Sequence, residues 1–329
     1  MCSVSNALGK RSRLSTLFNL PQQTNESDSQ MSTVEEIEKE LSPNLQSQFR
    51  RRASKMQMLP GVAVQALEIA RDPECSIREF VAIVERDAKL AGDILGMANS
   101  AMFCSGGPPI ITLQQSIVRL GFRQCRNLIL STSMASLMKS STLEEEWVRD
   151  VLWRHGFLTG MLAIHINRVV GTGFQGEEFA AGLMHDFGRT LIAVCMPEQF
   201  SMVDPLHFDE SSETPVLEKR IIGTSHCEAG AWFAEISHLP SEFVEVIRYH
   251  HHSAAATKHR RLVALTAIAD HMASYLQRFD NATNYDIRTN EAVYVLETCG
   301  VTNAAGRLAD VCRDMMTSCK KEAQKMWSV

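Results

Sequence analysis

Helical spacing of the apolar residues, almost without interruption, is the feature that most restricts the fold of this chain. From residue 44 onward, strand-like alternation is nearly absent. In the second half, the spacing predicts helices near residues 143–170, 177–195, 226–237, 241–252, 260–277, 288–299 and 303–325. We therefore predict an all-α architecture, with helices packed around one long core or two adjoining ones.

Helix start and stop signals support this prediction in both halves of the chain. Ser76 is placed to cap a helix that begins "IREFV", and Gly121 is placed to end the helix in "TLQQSIVRLGF". Ser225 is followed by Glu228 three residues later, which is the spacing of a capping box. The segment that follows Ser225 is therefore predicted to be a helix.

The chain divides by composition into a tail and two helical halves. Residues 1–43 are rich in Ser, Asn, Gln and Thr and have few periodic apolar residues, so we expect a disordered tail. Residues 44–140 are predicted to form an N-terminal helical half. Residues 141–329 are predicted to form a second helical half.

Charge and composition exclude several classes of partner. The 329 residues carry a formal net charge of −5, which gives no electrostatic footprint for nucleic acid. The run Arg50–Arg52 with Lys55 is too short to change this, and we interpret it as a solvated helix face rather than a binding patch. No apolar run approaches the length of a membrane span, so we expect no membrane partner.

The cysteines indicate a reducing compartment. The chain has nine cysteines, none of them in a CxxC pair, and an odd number cannot all pair internally. No signal peptide is recognisable at the start of the sequence. These features predict a cytoplasmic protein with reduced thiols.

Histidines are confined to the second half of the chain. All eleven lie at or beyond His155, which falls on the inward face of its predicted helix. His185 and Asp186 stand side by side after the apolar run "EEFAAGLM", and Gly188 permits a close backbone approach there. A buried histidine and aspartate need either a metal ion or a hydrogen-bond network, and each residue alone fits both explanations.

Three further segments complete the set of candidate ligands. His226 falls in the first turn of the helix capped by Ser225. His250 and His251 end another helix, where they could instead complement the helix dipole. Asp270 lies among small residues at helical spacing, which is typical of a close helix contact.

Together these residues predict a metal site better than any of them alone. Imidazole nitrogens with carboxylate oxygens suit Fe, Mn, Zn or Mg, and a bridging carboxylate allows two ions. A hydrogen-bonded His/Asp network without an ion remains the alternative at this point.

The same motifs, taken in order, resemble the HD superfamily of metal-dependent phosphohydrolases, and most closely its HDOD branch. The resemblance runs from about residue 44 to about residue 280. It is carried by the segments "LPGVAVQALEIARDP", "VERDAKLAGDILGMANSAMF", "TLQQSIVRLGF", "GLMHDFGR", "GTSHCEAGAWFAEISHLPSEFVEVIRYHH" and "AIAD".

The resemblance implies an HD-like multi-helix fold and a specific set of ligands. The superfamily's core ligands fall on His155, His185, Asp186 and Asp270. The additional histidines of its two-metal members fall on His226, His250 and His251, and Asp186 would then bridge two ions.

Two departures from the two-metal HD-GYP enzymes bear on activity. Arg189 stands where those enzymes have a lysine that takes part in phosphate handling. The segment "HHHSAAA" lacks their Gly-Tyr-Pro motif. Asp186 and Arg189 are nevertheless the candidate catalytic residues.

These features leave three hypotheses for function. The first is a cytoplasmic regulatory HDOD module that acts in signal transduction by binding a signalling protein or a nucleotide and retains a metal. The second is a metal-dependent phosphohydrolase that acts on nucleotides or cyclic nucleotides. The third is a helical scaffold without an ion, and the sequence leaves enzymatic activity open.

Overall fold

The computed structural model describes residues 41–53, 56, 61–70, 72, 74–99, 108–140, 146–204, 206 and 213–327. The predicted disordered tail, apart from its last three residues, lies outside these ranges.

The described residues form α-helices and two 3-10 turns, with no β-strand among them. The helices are α1 Pro43–Arg52, α2 Gly61–Ile69, α3 Ile77–Val84, α4 Ala88–Ala98, α5 Leu113–Ser140, α6 Glu146–Val170, α7 Glu177–Met184, α8 Phe187–Cys195, α9 Pro197–Val203, α10 Glu213–Ile222, α11 His226–Ile236, α12 Ser241–Tyr249, α13 Arg260–Phe279, α14 Glu291–Thr298, α15 Ala304–Ala309 and α16 Cys312–Trp327. The 3-10 turns are His250–Ala255 and Ile287–Thr289. The all-α prediction is confirmed.

The predicted helix signals are confirmed where the structure describes them. Ser76 forms a full capping box with Glu79 at the start of α3. Ser225 and Glu228 form the predicted capping box at the start of α11. Gly121 interrupts α5 with φ 78° and ψ 159°, a backbone conformation that glycine adopts without a Cβ clash.

The single helix predicted over residues 177–195 is wrong, because two helices occupy it. α7 ends at Met184 and α8 begins at Phe187, so His185 and Asp186 form the junction between them. Asp186 occupies the N-cap position of α8, yet its side chain makes no capping hydrogen bond. Its carboxylate is instead directed to the cluster described below.

The other differences concern helix ends and short helices. The helix predicted over residues 241–252 ends at Tyr249 and continues as a 3-10 turn that His252 interrupts with φ −136° and ψ 57°. The helix predicted over residues 303–325 is divided into α15 and α16. The short helices α9 and α10 were not predicted, because each offers too few turns for a periodic apolar pattern.

Helices α6 and α13 form the centre of the fold. α6 packs against α7 and α13, while α11 packs against α8 and α12. α5 packs against α7, so the N-terminal helices are joined to the second half by direct contacts. The division into two halves at residue 140 stays a prediction. None of the described helices has the length and apolar character that a membrane crossing requires.

Backbone contact between α6 and α7 depends on glycine. A Cβ placed on Gly182 would lie 2.6 Å from the backbone N and Cα atoms of Gly160, and one on Gly156 would lie 2.8 Å from the Leu183 carbonyl oxygen. These distances are too short for any side chain, so the two helices touch backbone to backbone. This contact brings His155 of α6 beside His185.

We expect Gly182→Ala to lower the free energy of unfolding by about 1–3 kcal/mol, because the new methyl group forces α6 and α7 apart. The matched control is Gly92→Ala in α4, where a Cβ meets no atom within 4 Å. That control should stabilise the protein by about 0.5–1 kcal/mol through helix propensity. Urea unfolding measures both variants, and equal stability of the two would contradict the close contact.

Candidate metal centre

Seven side chains predicted from the sequence meet at the centre of the helical body. They come from the middle of α6, the α7–α8 junction, the first turn of α11, the 3-10 turn after α12, and the middle of α13. The seven are His155, His185, Asp186, His226, His250, His251 and Asp270.

One group of donor atoms lies between α6, the α7–α8 junction and α13. His155 Nε2 is 3.3 Å from His185 Nε2 and 3.0 Å from Asp270 Oδ1. His185 Nε2 is 3.4 Å from the same Asp270 oxygen. These three residues, with Asp186 Oδ2 at 3.6 and 3.7 Å from the two imidazole nitrogens, are called the first donor group.

The other oxygen of Asp186 faces a separate pair of imidazoles. Asp186 Oδ1 is 3.5 Å from His226 Nε2 and 3.4 Å from His250 Nε2. The two imidazole nitrogens are 3.4 Å apart. Asp186 Oδ1, His226 and His250 are called the second donor group, and Asp186 belongs to both.

The outer nitrogens of the imidazoles are held by oxygen acceptors. Nδ1 of His155 donates to Gln277 Oε1, and Nδ1 of His185 donates to the Gly182 carbonyl oxygen at 2.7 Å. Nδ1 of His226 donates to Glu218 Oε2 at 2.7 Å. In the neutral imidazoles, these hydrogen bonds place the proton on Nδ1 and leave a lone pair on Nε2 that is directed toward its donor group.

The fourth imidazole is held in the same way. Nδ1 of His250 donates to the carbonyl oxygens of Val246 at 3.2 Å and Ile247 at 3.0 Å. Its Nε2 therefore also presents a lone pair to the second donor group. The backbone of α12, rather than a side chain, fixes this ring.

The donor groups fit metal ions better than a closed hydrogen-bond network. Imidazole lone pairs directed at one another repel unless a proton or a cation lies between them. Asp186 Oδ1 is buried and accepts no hydrogen bond from the described residues. In a tetrahedral site with bonds of about 2.0–2.3 Å, donor atoms lie about 3.3–3.7 Å apart, close to the spacing found here.

Electrostatics keep the two carboxylates ionised, which is the form that a metal ion would require. Burial acts to raise the pKa of Asp186, but the charges of Arg189 and His185 outweigh it and hold this pKa well below its usual value. Without an ion, the charge of protonated His185 outweighs burial and holds the pKa of Asp270 well below its usual value, and a bound cation would take the place of that proton.

Burial lowers the pKa of His250, which favours the neutral ligand form. The charges of Cys227 and Glu218 outweigh burial and raise the pKa of His226, so binding of an ion there would displace a proton.

The second donor group is bordered by His251 and by Cys227. The ring of His251 lies 4.3 Å from that of His250 and 5.1 Å from that of His226, between ring centroids. Cys227 Sγ lies 3.4 Å from His226 Nε2. A thiolate here would favour Zn or Fe over Mg. Cys227 could not be predicted as a candidate ligand from the sequence, because a cysteine outside a CxxC pair carries no metal signal by itself.

Arg189 is engaged by two carboxylates. Its Nη1 donates to Asp186 Oδ2 at 2.8 Å, while Nε and Nη2 donate to the two oxygens of Asp204, each at 2.6 Å. All three side chains are buried. Arg189 thus orients the Asp186 carboxylate, and its predicted role in phosphate handling stays a prediction.

Supporting residues were harder to find in the sequence than the candidate ligands. Glu218 is fully buried, and its Oε2 accepts from both the ring and the backbone N–H of His226. It lies in α10, which was not predicted, so nothing indicated that it faces inward. Gln277 and Asp204 are common polar residue types whose roles depend on tertiary contact.

A second glycine contact positions α11 over the α7–α8 junction. A Cβ on Gly188 would lie 1.8 Å from the His226 carbonyl oxygen, and one on Gly230 would lie 3.0 Å from Gly188 Cα. The close backbone approach predicted at Gly188 is confirmed. It brings His226 within reach of Asp186.

Comparison with known proteins identifies the domain and the fold. The HDOD domain model matches residues 56–253. The chain is 25% identical over 239 residues to an uncharacterized protein of Treponema pallidum (strain Nichols), covering 71% of this chain and 45% of that protein. The chain therefore spans less than half the length of the curated relative that it matches.

Two solved structures with a similar fold match this chain over nearly their whole length. An HDOD domain protein of unknown function from Geobacter sulfurreducens is similar with a TM-score of 0.62 at 24% identity, covering 83% of this chain and 96% of that one. A "Putative phosphohydrolase" from Shewanella amazonensis SB2B has a TM-score of 0.59 at 20% identity, covering 83% and 97%. At these identities the likeness establishes the fold.

We expect Arg189→Met, measured by urea unfolding in EDTA, to lower the free energy of unfolding by about 3–5 kcal/mol, because it leaves Asp204 as an unpaired buried charge. Arg189→Met combined with Asp204→Leu should recover part of this loss. The matched control is Arg248→Met, which removes a partly exposed ion pair with Glu235 and should cost less than about 1 kcal/mol. A loss no larger than in the control would show that Arg189 does not stabilise the carboxylates.

Proposed function

The chain belongs to the HDOD family, and we propose that it is a regulatory module that holds two metal ions on a shared aspartate. The observation that carries the proposal is the position of Asp186, whose two oxygens each face a separate pair of imidazole nitrogens. The first donor group would hold one ion, and the second donor group would hold the other. The chemistry of these donors suits Fe, Mn or Zn.

In this proposal each ion is bound by side chains from helices that are distant in the sequence, and the two ions thereby hold these helices in contact. Divalent ions would neutralise the two buried carboxylates and remove the repulsion between facing lone pairs. Binding to the folded state alone stabilises that state by mass action, so metal supports the shape of the whole domain. The module would then act in the cytoplasm by binding a signalling protein or a nucleotide.

The contacts around the centre favour binding over turnover. Phosphoryl chemistry needs a cation free to neutralise charge on the phosphate. Arg189, which stands at the sequence position of the HD-GYP lysine, instead donates to two buried carboxylates. The bridging Asp186 is itself only 6% exposed.

A second candidate function is a metal-dependent phosphohydrolase. It is supported by the partial solvent exposure of two side chains at one edge of the candidate metal centre. The side chain of Asp270 is 13% exposed, and His251 beside the second donor group is partly exposed. A pair of bound ions would supply a nucleophilic hydroxide and a clamp for the phosphate oxygens. His251 is the residue placed to contact a substrate that enters at this edge.

We expect protein purified without a His tag and loaded with Fe or Mn to contain two ions per chain by elemental analysis. Asp186→Asn should lose both ions, and His226→Ala should lose one. The matched control is His271→Ala, which removes the neighbour of Asp270 whose Nδ1 contacts the Tyr285 hydroxyl, and it should keep two ions. Absence of metal in the loaded wild-type protein would overturn both candidate functions.

We expect the loaded protein to convert no cyclic nucleotide to nucleoside monophosphate above the level of Asp186→Ala, because Arg189 is engaged by Asp186 and Asp204. Chromatographic measurement of the monophosphate product, with the two proteins side by side, tests this. Turnover by the wild-type protein that disappears in Asp186→Ala would instead support the phosphohydrolase.

A further inference from the structure

A positively lined groove lies where α5 meets the start of α7, α12 and α13. Its volume is about 580 Å³, within the usual range for small-molecule sites. Five Lys and Arg side chains and two Glu side chains line it, an excess of three positive charges in a chain whose net charge is −5. The basic lining residues are Arg123, Arg126, Lys258, Arg260 and Arg261.

The N-terminus of α13 adds to this positive potential. α13 has 20 residues, no acidic residue in its first turn, and an N-cap residue, His259, without a side-chain capping bond. Instead Arg260 and Arg261 open the helix, where positive charge opposes the helix dipole. A bound anion would reduce the repulsion between these positive charges and the helix N-terminus, because helix N-termini favour negative charge.

Part of the cationic lining remains available to a ligand. Arg123 pairs with Glu177, and Arg126 Nη2 lies 3.2 Å from Glu242. The Nε atom of Arg126 is buried and has no acceptor among the described residues. The ammonium group of Lys258 makes no hydrogen bond or ion pair with the described residues, and Lys258 is exposed.

The wall that carries Lys258 is held in place before any ligand binds. Glu245 accepts hydrogen bonds from the backbone N–H groups of Thr257, Lys258 and His259. One carboxylate thus fixes the backbone of three consecutive residues directly before the N-terminus of α13. Such preorganisation reduces the entropy lost when a ligand is bound.

The groove also has an aromatic wall. Phe174 lines it and is partly exposed, so a planar ring can lie against its face. Phosphate groups would meet the cations at the start of α13, and Phe174 would contact an apolar ring. We propose that this groove is a nucleotide-binding site, for an aromatic base on a phosphorylated sugar.

This site is separate from the metal centre. Lys258 and Arg260 lie at the N-terminal end of α13, and Asp270 follows ten residues later, roughly 15 Å along the helix. Nucleotide bound in the groove would therefore neither need the metal ligands nor contact them. The groove proposal does not rest on the proposed metal centre.

Isothermal titration of the full chain with ATP, tripolyphosphate and adenosine tests the proposal. We expect saturable 1:1 binding of ATP, weaker binding of tripolyphosphate, and no binding of adenosine at the same concentration. The double variant Lys258→Glu/Arg260→Glu should weaken ATP binding by roughly tenfold or more, because two attractive charges become repulsive. Phe174→Leu should weaken ATP binding and leave tripolyphosphate binding unchanged.

The matched control is Arg278→Glu/Lys321→Glu, which makes the same charge change at the far end of α13 and on α16. It should change ATP affinity by less than about twofold, since surface charges beyond a Debye length are screened. Asp186→Asn should bind ATP as the wild type does.

Four results would overturn the proposal. These are no saturable ATP binding, equal weakening in the charge control, ATP binding that Asp186→Asn abolishes, and tripolyphosphate binding as tight as that of ATP. Tighter binding of a short single-stranded RNA than of ATP would likewise assign the groove to a different ligand class.

Discussion

The structure depends on one buried carboxylate shared between two pairs of imidazoles. Asp186 ends up in this position because the chain breaks its helix there, between Met184 and Phe187. A continuous helix would turn His185 and Asp186 about 100° apart and leave the rest of α8 along the axis of α7. With the break, α8 turns toward α11, and the two oxygens of Asp186 face different elements.

Helix approach at the centre is set by glycine rather than by side-chain packing. Ordinary helix pairs are 8–10 Å apart because side chains fill the interface. At Gly160 and Gly182, and again at Gly188 and Gly230, the absence of a Cβ lets backbones meet. Short imidazole and carboxylate side chains from separate helices can converge only across such contacts. The glycines are thus part of the donor geometry although none of them is a ligand.

Much of the fold and of the donor set could be predicted from the sequence because both leave local signals. Capping boxes at Ser76 and Ser225 depend on residues three apart, and the His185–Asp186 pair stands out as polar within an apolar run. Glu218 and Asp204 left no such signal, because their burial arises from helices distant in the chain. The break at His185 was also missed, since an apolar pattern on both sides of it is continuous in the sequence.

The role of Arg189 also depends on a tertiary contact, so it could not be interpreted from the position of Arg189 in the sequence. A cation three residues after Asp186 suits either phosphate binding or support of the carboxylate, and the sequence spacing is identical for both. The contacts with Asp204 favour support of the carboxylate, because the two oxygens of Asp204 accept from Nε and Nη2 of Arg189 and leave Nη1 directed at Asp186. A planar guanidinium can serve two carboxylates at once in this way, whereas a lysine ammonium offers no matching fork. Arginine at this position therefore fits a chain in which the neighbouring cation holds the candidate ligand Asp186 in place.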